Sequence, residues 1–436
     1  MLALFFTLSE IVSARTLDVR SIAEDANAAL AICPQKLWPS FSLDGRAMLL
    51  LYDPAQQAWY EPFHSTGTSL PAVVPYSRLP HTITHFGGTF AFVRYRARDT
   101  IELLANAFPS EASAIFELAH ESFHKFGQGD FLAASTQQRG YVYPEPWNPR
   151  YLRHEIGFWL ERSVKERAAR DLSVASYWYH RYLHDFPNDA DSVKSLDRLE
   201  GTAEYVGVAA SVLASVGCFA RTLVYRDAVD NAALHHVKAF NGTFDRDYES
   251  YVIGLFASVI LADRTSTPWA ARIEAGETPA GVLLANIPPA STHDDLQLEI
   301  AERHFYDQQN KRNWAIIEPF RAAVSAHDTS IIAIPPSRLS GSFSSGQSFV
   351  NFRMDHTIEQ ILPRALAQFG TSVDLLNQDT AIGPTPCGAA FWFPVANHDI
   401  RFIGTRISIQ TQSVRVSELH YSTLVGMGRR WLCVKP

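Results

Sequence analysis

Cysteine is scarce: the chain has four in 436 residues, and none stands in a C-x-x-C spacing, so a cysteine-ligated zinc site is not expected. Long apolar runs are missing as well. The most apolar uncharged stretch, Tyr205 to Ala220, falls short of the roughly 20 residues that a bilayer span needs. A longer one, Thr380 to His398, is broken by Pro384, Pro386 and Pro394. Charged residues make up only 19%, the net charge is −7, and no Lys/Arg stripe overrides it, so a polyphosphate backbone is not an expected partner. A P-loop, a dinucleotide fingerprint, a Ser-nucleophile elbow and internal repeats are all absent from the sequence.

What remains is an ordinary globular composition, 47% hydrophobic, over a length that can fill two or three sizeable cores. Residues Leu2 to Leu8 are almost wholly apolar, and Val12-Ser13-Ala14 offers the small-residue pattern at which a signal peptidase cuts. Nothing basic precedes that stretch and Glu10 interrupts it. Residues 1–14 are expected to be a signal peptide and the protein periplasmic or extracellular, with the cytoplasm as the other option. The four cysteines, Cys33, Cys218, Cys387 and Cys433, fit either two disulfides or buried thiols.

The hydrophobic period changes along the chain. Residues 15–99 read as strands and turns, with apolar Ala47 to Tyr52 and β-branched and aromatic Thr89 to Tyr95. Residues 100–263 read as helices. Ser110 is an N-cap candidate, Ala112, Ile115, Phe116, Ala119 and Phe123 recur at helical spacing, and Gly127 suits a C-terminal stop. Further helices are expected over Tyr151 to Phe186 with a break near Asp171, Asp191 to Val216, and Asp247 to Leu261. Residues 264–436 mix short helical patterns, Ala315 to Ala326 and Thr357 to Phe369, with strands; Arg406 to Leu419 alternates as a hairpin. The expected class is α+β: a β-rich N-terminal region, a mainly helical core, and a mixed C-terminal region ending in β hairpins.

On the helix that Ser110 would cap stands His120-Glu121-Ser122-Phe123-His124, an H-E-x-x-H pattern. Histidines four apart on a helix share a face, so their imidazoles can converge on one metal ion. The Glu between them is placed to take a proton from a water that zinc has acidified to a pKa of about 7. Catalytic zinc usually takes a third protein ligand and leaves one position open.

Two candidates for that ligand compete. Asp130 extends the motif to H-E-x-x-H-x-x-G-x-x-D, which resembles the metzincin peptidases. Those enzymes also place a Met turn under the metal, whereas the methionines after this motif, Met354 and Met427, lie more than 200 residues on. The other candidate is Glu200, in Leu199-Glu200-Gly201-Thr202-Ala203-Glu204-Tyr205, where Glu200 and Glu204 share a helix face. One carboxylate could bind the metal while its neighbour orients a ligand histidine. This pairing resembles the gluzincin zinc peptidases, which have H-E-x-x-H on one helix and a Glu ligand on the next. Tyr251-Val252-Ile253-Gly254 is similar to the Y-x-K-G segment of their aminopeptidase branch. By that resemblance His120, His124 and Glu200 hold Zn2+, Glu204 orients a histidine, Glu121 is the general base, and Tyr251 stabilises the oxyanion of a peptide or protein substrate.

The sequence also departs from those peptidases. The separation of 76 positions from His124 to Glu200 implies a helical insertion folded aside. Ile253 replaces the Lys of Y-x-K-G, and a G-x-M-E-N segment is missing, so exopeptidase specificity is not implied. His180 and His184 have no Glu between them, and adjacent His235 and His236 cannot face one metal from a helix, so neither pair is expected in the site. The alternative is a binding or scaffold protein whose zinc site is structural or absent.

Overall fold

The computed structural model describes residues 17–43, 47–53, 58–61, 72–75, 90–95, 98–129, 131, 142–239, 246–264, 268–290, 292, 294–338, 350–354, 357–369, 372–426 and 429–435. The expected signal segment and Asp130 lie outside them. The class is α+β, and three bodies of structure follow one another.

The described residues open with helix from Val19, not with the strands and turns expected from residue 15 onward. Asp18 caps α1 (Val19–Asn27), its carboxylate accepting from the backbone N–H groups of Arg20 and Ser21. Val19, Ile22, Ala23 and Ala26 repeat at three- and four-residue steps and are buried, a spacing legible in the sequence. A π turn, Ala28–Ile32, and α2 (Pro34–Leu37) complete this segment. The N-terminal strands follow: β1 (Ala47–Asp53), β2 (Ala58–Glu61), β3 (Ala72–Pro75), β4 (Phe90–Tyr95) and β5 (Arg98–Leu104). They form one sheet in the order β3-β2-β1-β5-β4, with β1 and β5 parallel.

The helical body contains α3 (Glu111–Ser122), α4 (Trp147–Glu166), α5 (Ala169–Asp185), α6 (Pro187–Val216), α7 (Thr222–Ala239), α8 (Arg246–Arg264), α9 (Trp269–Glu274) and α10 (Pro279–Leu284). The break between α4 and α5 falls at Arg167, whose φ is 53°, and Pro187 opens α6 at its first position, where a missing N–H costs nothing. From Glu200 to Ala210 every residue of α6 is buried, so this helix is the axis of the core. The 76-residue separation is not taken up by an insertion folded aside. Its helices α4 and α5 belong to the core, and α4 carries Arg150 and Arg153, both essentially inaccessible, into contact with α6 and α8.

Helix α11 (Leu296–Ser325) leads to the C-terminal strands: β7 (Thr329–Ile334), β8 (Val350–Met354), β9 (Thr357–Phe369), β10 (Val373–Thr385), β11 (Gly388–Ala396), β12 (Ile400–Ile403), β13 (Arg406–Gln410), β14 (Val414–Gly426) and β15 (Arg429–Val434). With β6 (Val142–Tyr143) they form a sheet ordered β12-β13-β14-β15-β7-β11-β10-β9-β8-β6. A further pairing of β14 with β10 closes the circuit β14-β15-β7-β11-β10 on itself. Ile317, Phe320 and Val324 of α11 pack outside it against Phe352, Trp392 and Trp431.

Thr357 to Phe369 is strand β9, where the sequence pattern suggests a helix. The reason is an irregularity opposite β10: register shifts flank Gln378, and Arg364 takes a φ of 52°. Buried Ile361, Leu362 and Ala365 therefore mimic helical spacing on a strand whose alternation is interrupted.

The cysteines are paired, Cys33 with Cys218 and Cys387 with Cys433, which is compatible with export. Among the described residues no helix is long and apolar enough to cross a membrane.

Candidate metal centre

Ser110 caps α3, its hydroxyl accepting from the Ser113 N–H at 3.1 Å. Ala114, Ile115, Leu118 and Ala119 anchor the helix in the core. Past Ser122 the helix widens into a π turn, Phe123–Gly127, the kind of irregularity that recurs at functional sites. His120 lies on the regular helix and His124 within the turn.

Helix α6 crosses α3 antiparallel. Phe116 lies against Gly207, His120 against Glu204, His124 against Glu200, and Gln128 against Leu199, stepping down one helix and up the other. Gly207 permits this closeness, since a Cβ there would stand 2.7 Å from the Phe116 ring. Helix α8 lies on α6 through a second glycine contact: a Cβ on Gly254 would come within 2.3 Å of the Cα of Gly201. These are the glycines of the Glu200 and Tyr251 segments. Their contact seats Tyr251 with its ring nearly parallel to that of His120, 6.0 Å away at 8°.

Three donor atoms converge. His120 Nε2 and His124 Nε2 are 3.0 Å apart, and Glu200 Oε2 lies 3.1 Å from the second and 3.5 Å from the first. A triangle with these sides has a circumscribed radius of about 1.9 Å, so a cation about 2.0–2.1 Å from all three donors fits just off their plane, as zinc requires. Among the described residues, this is the group of His, Cys, Asp and Glu placed to hold a metal ion.

The ring orientations support the same reading. Gln128 donates from Nε2 to the Leu199 carbonyl at 2.7 Å and to Thr202 Oγ1 at 2.9 Å, which leaves its Oε1 to accept from His124 Nδ1 at 2.8 Å. His124 therefore turns an Nε2 lone pair toward the centre. His120 Nδ1 faces Glu204 Oε2 at 3.2 Å, an ion-pair contact, and turns its own Nε2 inward. Two imidazole lone pairs and a carboxylate that is 4% exposed, at these separations, need a positive charge among them.

The electrostatics of the apoprotein express that need. Burial works against a charged His120, yet Glu200 and Glu204 beside it, with Glu121 nearby, hold its pKa up to about 10. Burial likewise raises Glu204, but the histidines on either side, His120 and His236, bring it below the ordinary carboxylate range. Glu117, one turn before Glu121, is raised chiefly by burial; His120 opposes this, and Glu121 and Glu204 reinforce it.

The structure thus brings together His120, His124, Glu200 and Glu204, with Glu121 half-buried beside them and Tyr251 over His120. Two further residues belong to this constellation and were not expected. Gln128 orients His124; the signal was its place four residues after that histidine. His236 of α7 reaches Glu204 Oε1 at 2.5 Å. That contact corrects the reading of the 235–236 pair. Adjacency bars two histidines from sharing a metal but does not bar one of them from holding a carboxylate. His180 and His184 take no part.

Compared with protein-family models, curated proteins and solved structures, the chain matches none.

Proposed function

We propose that the protein is a zinc-dependent hydrolase, most simply a peptidase, with His120, His124 and Glu200 as the metal ligands. The observation that carries this reading is the convergence of three donors while each histidine's other nitrogen is engaged by Gln128 or Glu204. A ring oriented from behind is what a metal ligand requires, and a surface histidine pair would not need it. Two nitrogens and one oxygen also form the donor set of many catalytic zinc sites.

Bound there, zinc would acidify the attacking water and polarise the scissile carbonyl. Glu121 follows His120 directly and serves as the general base, taking the water's proton and delivering it to the leaving amine. Tyr251 lies over His120 and supplies its hydroxyl to the developing oxyanion. Glu204 keeps the His120 ring in its ligating orientation. The substrate expected is a peptide or protein, and the two disulfides accord with an exported enzyme.

Elemental analysis of the purified protein, with Glu121→Gln and Glu200→Ala beside it, tests the reading. The wild type is expected to hold one zinc per chain, and Glu200→Ala to lose it. Glu121→Gln should keep the zinc and lose at least about 10²-fold in turnover of a peptide library. A wild type that takes up no zinc on incubation would leave a binding or scaffold role.

A further inference from the structure

Glu204 has two carboxylate oxygens, and the structure uses both. Oε2 faces His120 Nδ1 at 3.2 Å, and Oε1 meets His236 Nε2 at 2.5 Å. The His236 ring also lies against Phe116, with centroids 4.5 Å apart and planes at 36°. Phe116 belongs to α3, one turn before His120, so His236 is braced by the same helix that carries the zinc histidines. It comes from α7, an element outside the H-E-x-x-H and E-G-T-A segments. Three helices therefore meet in one chain of contacts, His236–Glu204–His120.

We propose that His236 is a positioning residue of the metal centre: it donates its Nε2–H to Glu204 and fixes the carboxylate that orients and polarises His120. The inference rests on the zinc reading above and extends it one layer outward. The physical argument is geometric. A glutamate side chain at 5% exposure, held at one oxygen only, can still rotate about its last torsion. A donor at the second oxygen removes that freedom and aims the first at Nδ1. The hydrogen bond also favours the anionic carboxylate, which makes the facing imidazole a stronger donor to a metal. The His236 side chain is 23% exposed, so its ring is not there mainly to fill the core.

The test is zinc affinity, measured by competition with a chromophoric chelator, for wild type, His236→Ala, His236→Gln, Glu204→Ala and the double variant His236→Ala/Glu204→Ala. Thermal melting of each metal-free protein runs beside it. His236→Ala is expected to weaken zinc binding roughly 10- to 100-fold, the usual effect of losing an outer partner of a metal site. His236→Gln places an amide N–H near the same point and should restore affinity to within a few-fold. In the double variant, loss of His236 should add little to loss of Glu204, since the effect runs through that carboxylate. A wild type that binds zinc beside a His236→Ala that binds it equally tightly would overturn this inference alone. So would a His236→Gln as weak as His236→Ala, because the ring's packing and not its N–H would then be what matters. A wild type that holds no zinc overturns the zinc reading, and this inference with it.

Discussion

Two clusters of charge lie within a few turns of each other along α6, and they balance their charges in opposite ways. In the first, Arg150 and Arg153 of α4 donate to one oxygen of Glu249 at 2.6 and 2.7 Å. Arg153 also grips both oxygens of Asp197 at 2.5 and 3.0 Å, while Arg150 reaches Asp189. This cluster brings its own permanent cations, and guanidinium forks answer carboxylates almost atom for atom. In the second, Glu200 and Glu204, one and two turns beyond Asp197 on α6, face His120, His124 and His236, whose charge depends on a proton. The folded chain answers the first cluster with permanent cations and the second with groups that titrate. That difference separates a structural network from a candidate reaction centre more sharply than burial does, since the carboxylates Glu249, Glu200 and Glu204 are all buried.

The largest effect expected on stability comes from opening the internally balanced cluster. Glu249→Ala leaves two arginines, 0% and 2% exposed, without their shared carboxylate, and should cost about 3–5 kcal/mol. Denaturant unfolding measures this, and the loss should be the same with zinc present as with chelator. If zinc restored the stability of Glu249→Ala, the two clusters would be one coupled unit and the contrast would fail.

A smaller effect is expected where the two clusters share their scaffold. Gly254→Ala would push a methyl onto the Cα of Gly201, so α8 must shift away from α6. Overpacking of this kind costs about 1–3 kcal/mol. Because Glu200 and its two histidines lie on α3, its following turn and α6, while Tyr251 lies on α8, zinc content should survive and turnover should fall. Zinc lost in parallel with turnover would mean that α8 supports the ligands as well as the tyrosine.

Much of this centre was legible in the sequence because helices turn spacing into geometry. His120 and His124, and likewise Glu200 and Glu204, share a face by period alone, and small residues beside Glu200 marked a buried helix. The contact of Gly201 with Gly254 was not legible, although both glycines stood inside the quoted motifs, because pairing them requires knowing that α6 and α8 cross there. His236 was hidden for the same reason, and its helix α7 was not anticipated. Nor was the role of α4: spacing alone suggested an insertion set aside, whereas its arginines bind the two site helices together. In the C-terminal body the irregularity beside Arg364 replaced the period-two signal of β9 with a helix-like one, and at the N-terminus the helical spacing from Val19 was present but passed over.

The effect that is smallest per step, and the most diagnostic, is in pH. His120 is held up to about 10 against an ordinary 6.5, so its proton stabilises the metal-free fold. That contribution is fully present below 6.5 and is lost as pH rises through about 10. Zinc must displace this proton to bind, so between those limits its apparent affinity should rise by up to about tenfold per pH unit, or about 1.4 kcal/mol. Melting temperatures with zinc and with chelator, taken from pH 6.5 to 9, read this directly: the gap between them should widen as pH rises. The arginine cluster adds no pH dependence of its own, because guanidinium keeps its charge throughout this range. In Glu249→Ala the zinc-dependent gap should therefore widen along the same slope as in wild type, and a gap that stayed constant with pH in both proteins would show that metal and proton do not compete at His120.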